Sequence, residues 1–253
     1  MDELTRTVLV TGSSRGLGAE IARQFGAQGD QVIVNYFQHS DAANSVVQTI
    51  GADHALALQA DVRDRAQVDA MVAACKQRFG TIDVLVNNAL VGFKFDPTVQ
   101  KQFAELTWDD YQGQLTGTLQ GAFNVTQSVL PLMQAQHAGR VINIGTNLFQ
   151  NPVVAYHEYT TAKAALLGFS RNLAVELGAD GITVNMVSGG LLETTDASAV
   201  TTPEVFAMIA ANTPMGKVTT PKDVAGMVTF LGSAQAGGIT GQNITVDGGL
   251  TMN

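Results

Sequence analysis

Short aliphatic and β-branched runs alternate along the whole chain with longer stretches of helical pattern. Seven such runs predict strands: TVLVTG, QVIVNY, HALALQA, IDVLVNNA, RVINIG, ITVNMVSG and ITVDGG. Most are apolar throughout, which is typical of strands covered by helices on both faces. Repeated β-α units with buried strands predict a doubly wound α/β fold with a mostly parallel seven-stranded sheet.

The chain shows no linker, low-complexity tract or short-period repeat. We therefore expect residues 1–253 to form a single domain. The least regular stretch is about 191–217. Folds of this class bind ligands at the carboxyl ends of the strands, so we predict that this stretch is a substrate lid.

Composition and charge narrow the possible partners. The 253 residues are 45% hydrophobic and 14% charged, as in globular proteins. A net charge of −8 argues against nucleic acid and anionic membranes as partners. The first residues lack the apolar core of a signal peptide, and no apolar run approaches the roughly 20 residues of a membrane helix.

The cysteine and histidine content favours a cytoplasmic protein without a metal site. Cys75 is the one cysteine of the chain, so it cannot form an internal disulfide, which fits a reducing cytosol. Its helical surroundings predict that Cys75 acts as a small hydrophobic residue of a helix. His39, His54, His137 and His157 show no metal-ligand spacing, and we predict no metal site.

A glycine-rich turn joins the first predicted strand to the first predicted helix in TVLVTGSSRGLGAEIARQFG. Gly12, Gly16 and Gly18 are spaced G-x-x-x-G-x-G. Glycine lets the backbone approach a pyrophosphate, while the helix N-terminus supplies N–H groups and partial positive charge. The turn therefore predicts a dinucleotide site.

The end of the second strand indicates which dinucleotide binds. An acidic residue there would bind the ribose 2′-hydroxyl of NAD, but this chain has the neutral Asn35 and Tyr36. Arg15 lies inside the glycine turn, where we expect it to reach a 2′-phosphate. We predict that NADP(H) is preferred over NAD(H). The alternative is that Arg15 is a solvated loop cation.

The stretch HEYTTAKAALLGFS predicts a helix that carries Tyr159 and Lys163 on one face, four residues apart. By itself this pair is as compatible with a solvated surface contact as with an active site.

Several motifs in order extend over nearly the whole chain. They are TGSSRGLG (11–18), ADV (60–62), NNA (87–89), YTTAK (159–163), GITVNMV (181–187) and ITGQNITVDGG (239–249). Together they resemble the short-chain dehydrogenase/reductase family, most closely its β-ketoacyl-carrier-protein reductases and related carbonyl reductases. The resemblance implies a single Rossmann-type domain and a reversible hydride transfer between the nicotinamide and a carbonyl carbon.

The resemblance also assigns catalytic roles. Tyr159 would be the general acid, and Lys163 would stabilise its phenolate and bind the nicotinamide ribose. Thr146 stands where the family usually has serine, and Thr118 where it has a catalytic asparagine that holds a water beside the lysine. The alternative for Thr146 is that it merely ends a strand.

Cofactor contacts follow from the same resemblance, with Asp61 against the adenine and Thr194 against the nicotinamide carboxamide. The full predicted set is Gly12, Ser14, Arg15, Gly16, Leu17, Gly18, Asn35, Tyr36, Asp61, Val62, Asn87, Ala89, Tyr159, Lys163, Gly190, Leu192 and Thr194.

The sequence also departs from the family pattern. Leu90 replaces a glycine next to the cofactor, where it would either shift the cofactor or line the site. Gly113 and Gly117 flank the Thr118 region, and we expect them to permit a helix distortion with room for water. Gly189 and Gly190 replace Pro-Gly, which favours a mobile substrate loop.

The substrate is predicted from charge and from the apolar residues near the motifs. Carrier-protein reductases tend to have arginine where this chain has His137 and Asp180, so an acyl carrier protein is possible but disfavoured. A small-molecule carbonyl compound is the favoured substrate. Its candidate walls, which are equally compatible with ordinary packing, are Leu148, Phe149, Val153, Val154, Leu191 and Leu192.

Two further alternatives concern activity and assembly. The altered positions 90 and 118 are compatible with a nucleotide-binding sensor without turnover, although Tyr159 and Lys163 argue against it. The resemblance implies a homotetramer formed through the helices after the fourth and fifth strands and the C-terminal strand.

Overall fold

The structure is a computed structural model, and it describes residues 5–93, 95–96, 99–193, 195 and 198–252. Within these ranges, none of the helices combines the length and apolar character that crossing a bilayer requires.

Seven strands form one sheet in the order β3-β2-β1-β4-β5-β6-β7, and every neighbouring pair is parallel. The predicted doubly wound α/β fold is therefore confirmed. Each predicted apolar run overlaps one strand: β1 Thr7–Val10, β2 Gln31–Tyr36, β3 Ala55–Gln59, β4 Val84–Asn87, β5 Gly139–Thr146, β6 Ile182–Gly189 and β7 Asn243–Val246.

Helices connect the strands and cover the two faces of the sheet. They are α1 Gly16–Ala27, α2 Ser40–Ile50, α3 Arg65–Phe79, α4 Trp108–Leu115, α5 Gly121–Ala135, α6 His157–Leu177, α7 Pro203–Asn212 and α8 Pro221–Leu231. Capping side chains mark where two of these helices, α3 and α8, begin. Asp64 accepts hydrogen bonds from the first turn of α3, and Thr220 forms a capping box with Asp223 at α8.

The two large apolar clusters lie on opposite faces of the sheet. One packs α1 and α8 against the strands, with Phe25 and Val224 among its buried residues. The other packs α3 and α5 there, and it includes Cys75, which is a buried residue of α3. Burial raises the pKa of the Cys75 thiol to about 12, which makes it unreactive.

A π-helical turn, Thr116–Gln120, interrupts the long helix between α4 and α5. The helix distortion expected around Thr118 is thus confirmed. A Cβ on Gly117 would lie 2.9 Å from Cβ of Val91, so glycine here lets the turn pack closely against the loop after β4. A Cβ on Gly113 would meet none of the described residues within 4 Å, so close packing does not require glycine there.

Candidate active site

A cavity of about 520 Å³ opens along the carboxyl edge of the sheet, among residues that end or follow β1 to β6. This is the edge at which doubly wound sheets bind ligands. The structure brings most of the predicted site residues into its lining: Gly12, Ser14, Arg15, Gly16, Leu17, Gly18, Asn35, Tyr36, Asp61, Val62, Ala89, Thr146, Tyr159, Lys163, Gly190 and Leu192.

The glycine turn forms a narrow cradle at the start of α1. Gly12 and Gly16 have positive φ angles of 62° and 56°. A Cβ on Gly12 would lie 2.9 Å from Cα of Ala89, and one on Gly18 would lie 2.6 Å from the carbonyl oxygen of Gly12. The N-cap residue Arg15 makes no capping hydrogen bond with its side chain, so the first N–H groups of α1 suit a pyrophosphate.

Asn35 ties this turn to the end of β2. Its Oδ1 accepts a 3.0 Å hydrogen bond from the Gly12 N–H, and its Nδ2 donates to the carbonyl oxygen of Ala60 at 3.1 Å. Asn35 is buried, at 2% exposure, and its hydrogen bonds hold the turn against the neighbouring strand ends.

The described residues at the cavity end beside β2 include Arg15, His39, the neutral Tyr36 and one acid, Asp61. The Arg15 guanidinium lies 2.9 Å from Nε2 of His39, and both residues line the cavity with Tyr36. Asp61 is bound by Arg63 through a 2.6 Å ion pair. The hydrogen bond from the Arg63 side chain lowers the pKa of the Asp61 carboxyl, so this acid is charged but already partnered.

Asn87 does not line the large cavity as predicted, whereas its neighbour Asn88 does. Asn87 lies outside the large cavity, where its Nδ2 donates to Asn143 at 2.8 Å and to Thr126 at 3.0 Å. Asn88 lines the cavity, and its Nδ2 donates to the carbonyl oxygens of Thr11 and Gly12. The reason is strand geometry, since successive side chains point to opposite faces.

Tyr159, Lys163 and Thr146 meet at the opposite end of the cavity. Tyr159 and Lys163 lie one turn apart on α6 and are 4% and 3% exposed, and Thr146 ends β5. Burial raises the pKa of the Tyr159 phenol to about 12, while its hydrogen bond with the Thr146 side chain acts in the opposite direction. Burial lowers the pKa of Lys163 to about 8. The pair is therefore not a surface contact.

Thr118 lies behind Lys163 in the π-helical turn. It does not line the large cavity; it lines a small one of about 10 Å³ together with Asn87 and Lys163. The buried Thr118 Oγ1 and Asn87 Oδ1 have no hydrogen-bond partner among the described residues. A polar space of this size suits one water molecule.

Comparison with known proteins identifies the family. Over residues 12–251 the chain matches the sequence model of a family described as enoyl-(acyl carrier protein) reductase. A 3-oxoacyl-[acyl-carrier-protein] reductase of Synechocystis sp. is 37% identical over 100% of both chains. The chain belongs to the short-chain dehydrogenase/reductase family.

Two further relatives agree with this assignment. The 3-oxoacyl-[acyl-carrier-protein] reductase FabG of Staphylococcus aureus is 36% identical over 99% of this chain and 100% of its own. The enzyme of the same name from Haemophilus influenzae is 35% identical over 98% and 99%. As a member of this family, the protein is an NAD(P)-dependent oxidoreductase.

Leu90, which stands where the family pattern has glycine, is a lining residue of the cavity. It also packs against the buried cluster of Leu148, Tyr156 and Tyr159. Phe93, from the same loop, lies against Tyr159 and lines the cavity as well. Phe93 was not among the predicted site residues, although an aromatic residue four positions after the NNA motif was a usable signal.

Most of the residues predicted to form the apolar walls of the substrate site do not line the cavity that the described residues form. Only Leu192 of that set lines the cavity, where it also forms a bridge with Thr219. Leu148 is buried in the cluster beneath the site, and Val153 and Val154 are 57% and 38% exposed. The loop after β4 provides the apolar wall instead. Thr194, predicted to bind the carboxamide, lies outside the described residues.

Proposed function

We propose that this enzyme reduces the ketone of a 3-oxoacyl thioester to a secondary alcohol with NADPH. The observation that carries the proposal is one cavity with a glycine cradle at one end and Tyr159, Thr146 and Lys163 at the other. The names of the relatives, which match this chain end to end, support the 3-oxoacyl class.

The residues present fit the cofactor, because any side chain at Gly12 or Gly18 would fill the cradle. When bound, NADPH supplies a hydride from C4 of the nicotinamide to the carbonyl carbon. Thr146 then donates a hydrogen bond to the carbonyl oxygen, and Tyr159 gives that oxygen its proton. With a pKa of about 12, the phenol is protonated and ready to act as an acid at neutral pH.

The two hydroxyls also favour a ketone over the carbon–carbon double bond of an enoyl thioester. Tyr159 and Thr146 are hydrogen-bonded to each other, so both can reach one substrate oxygen. Reduction of an enoyl group needs its proton at a carbon atom instead. This supports the 3-oxoacyl function named for the relatives over the enoyl function named for the family model.

The cofactor preference rests on the end of the cavity beside β2. Arg15 and His39 lie 2.9 Å apart there. Asp61, the carboxylate among the described lining residues, is neutralised by Arg63. A 2′-phosphate would find a guanidinium there, whereas a 2′-hydroxyl would find no unpartnered acid among these residues.

A second candidate is a small ketone that is free of any carrier. At the two positions where carrier-protein reductases tend to have arginine, this chain has His137 and Asp180. His137 is exposed, and Asp180 accepts a 2.8 Å hydrogen bond from Gln134. Neither supplies the fixed positive charge that an acidic carrier protein would need.

The deciding experiment follows NADPH oxidation with four substrates: acetoacetyl-carrier protein, acetoacetyl-CoA, ethyl acetoacetate and crotonyl-CoA. The proposal expects the three keto compounds to be reduced and crotonyl-CoA to be unreactive, with a lower KM for NADPH than for NADH. Equal kcat/KM for carrier-bound and free keto substrates would select the small-ketone candidate. Turnover of crotonyl-CoA alone would overturn the assignment, and binding of NADPH without any turnover would favour a sensor.

We also propose that the chain forms a homotetramer. An open apolar groove lies on α5, α6 and the π-helical turn, which are the elements where the family resemblance places subunit contacts. Phe123, in this groove, is 43% exposed. Light scattering should give about four times the 26.6 kDa of one chain; a monomeric mass would contradict this.

A further inference from the structure

Three aromatic side chains surround Tyr159, and the reduction proposed above does not use them. The Phe93 ring lies parallel to the Tyr159 ring, with centroids 4.2 Å apart and planes inclined by 12°. Phe95 is edge-on to both, at 4.9 Å from Phe93 and 5.5 Å from Tyr159. Tyr156 is edge-on to Phe93 at 5.2 Å. The rings form a wall beside the general acid.

The loop after β4 holds this wall in place. Asn88, at its start, is hydrogen-bonded to the glycine turn. Leu90 then packs against the cluster, and Gly92, with a φ of +67°, allows the chain to turn before Phe93. The loop is thus anchored at the cofactor cradle, and its Phe93 lies against Tyr159.

Phe93 and Phe95 have one side on the protein and one on the cavity. Both line the cavity and are partly exposed, whereas Tyr156 and Tyr159 behind them are buried. Because Phe93 covers a face of the Tyr159 ring, a ketone that reaches the hydroxyl must carry one of its substituents past the phenylalanine rings.

Such a wall discriminates by shape and polarity. Aromatic rings favour flat apolar groups in stacked or edge-to-face contact, beyond the gain from burial alone. A charged or strongly hydrated substituent would lose water there without gaining a hydrogen bond from the phenylalanines. The wall therefore suits an aryl or conjugated group next to the reacting carbonyl.

We propose that Phe93 and Phe95 are specificity-determining residues that select 3-oxoacyl substrates with a flat apolar group on the ketone carbon. This inference rests on the proposed function and deepens it. Within the 3-oxoacyl class, it expects 3-aryl-3-oxoacyl compounds to be better substrates than compounds with a methyl group at the same place.

The test compares kcat/KM for ethyl benzoylacetate and ethyl acetoacetate, with NADPH, in the full-length enzyme. The wild type should prefer benzoylacetate. Phe93→Ala and Phe95→Ala should each lower the benzoylacetate-to-acetoacetate ratio by about fivefold or more, mainly through KM, since a lost aromatic contact is of this order. Phe93→Leu should give an intermediate ratio.

Phe103→Ala is the matched control, because Phe103 is 69% exposed, contacts His157 and is outside the described cavity lining. It should leave the ratio unchanged. Ratios that stay within about twofold of the wild type in both alanine variants, with turnover intact, would overturn the inference and leave the proposed function standing. Failure of the wild type to reduce either ester would overturn the proposed function and this inference with it.

Discussion

Lys163 Nζ donates a 2.7 Å hydrogen bond to the carbonyl oxygen of Ile144. This bond joins α6, which carries Tyr159, to β5, which carries Thr146 two residues after Ile144. The lysine therefore ties together the two elements that carry the Tyr159 and Thr146 hydroxyls. It does so in addition to any part it takes in the chemistry. Its burial in this position has a measurable consequence for stability.

We expect Lys163→Met to stabilise the fold at pH 7 and to lose this advantage at higher pH. Burial lowers the pKa of Lys163 from 10.5 to about 8, which corresponds to roughly 3 kcal/mol. Between about pH 8 and 10.5 the unfolded chain binds more protons than the native one, so the wild type gains stability with rising pH. Urea unfolding of both proteins at pH 7 and pH 10 measures this.

Lys163→Gln, which keeps hydrogen-bonding capacity without charge, is the control for loss of the bond to Ile144. A difference in free energy of unfolding between wild type and Lys163→Met that stays constant from pH 7 to pH 10 would show that the burial penalty is absent.

Tyr159→Phe should lower kcat for ketone reduction by about 10²- to 10⁴-fold, because it removes the proton donor. The ring and its stacking with Phe93 remain, so NADPH affinity measured by fluorescence should change little. Thr146→Ser keeps a hydroxyl and should retain most of the activity, whereas Thr146→Val should not. Turnover of Tyr159→Phe within tenfold of the wild type would assign the proton to another group.

Thr118→Asn tests whether the small cavity behind Lys163 acts through a water. Thr118 Oγ1 and Asn87 Oδ1 face this space without a partner among the described residues. Asparagine supplies two donors, so kcat should rise or stay unchanged. Thr118→Val, of the same shape without the hydroxyl, should lower kcat. A loss above about tenfold in Thr118→Asn would give the threonine a role of its own.

The strands and the two ends of the cavity could be predicted from the sequence, because apolar runs and glycine spacing are local signals. The side-chain direction at Asn87 and Asn88 could not, since it depends on where β4 ends in the sheet. The aromatic wall was missed for a different reason. Phe93 and Phe95 lie in a loop without periodicity, and only the fold brings them to Tyr159, more than 60 residues later in the chain.

Arg15→Ala should raise the KM for NADPH by about tenfold or more and change that for NADH less than threefold. A hydrogen bond to a charged group contributes about 1.5–3 kcal/mol, and the guanidinium would contact the phosphate that NADH lacks. Arg78→Ala is a suitable control, because Arg78 is an exposed arginine on α3 outside the described cavity lining. Equal effects on both cofactors would mean that Arg15 does not recognise the phosphate.

Gly18→Ala should weaken NADPH binding and destabilise the fold by about 1–3 kcal/mol, as overpacking does. The added Cβ would lie 2.5 Å from Nδ2 of Asn88 and 2.6 Å from the carbonyl oxygen of Gly12, so the amide that holds the loop after β4 must move. Gly168→Ala is the matched control on α6, where a Cβ would meet none of the described residues within 4 Å. It should raise stability by up to about 1 kcal/mol through helix propensity. Thermal unfolding and NADPH titration of the two variants measure both effects, and equal behaviour would contradict the steric role assigned to Gly18.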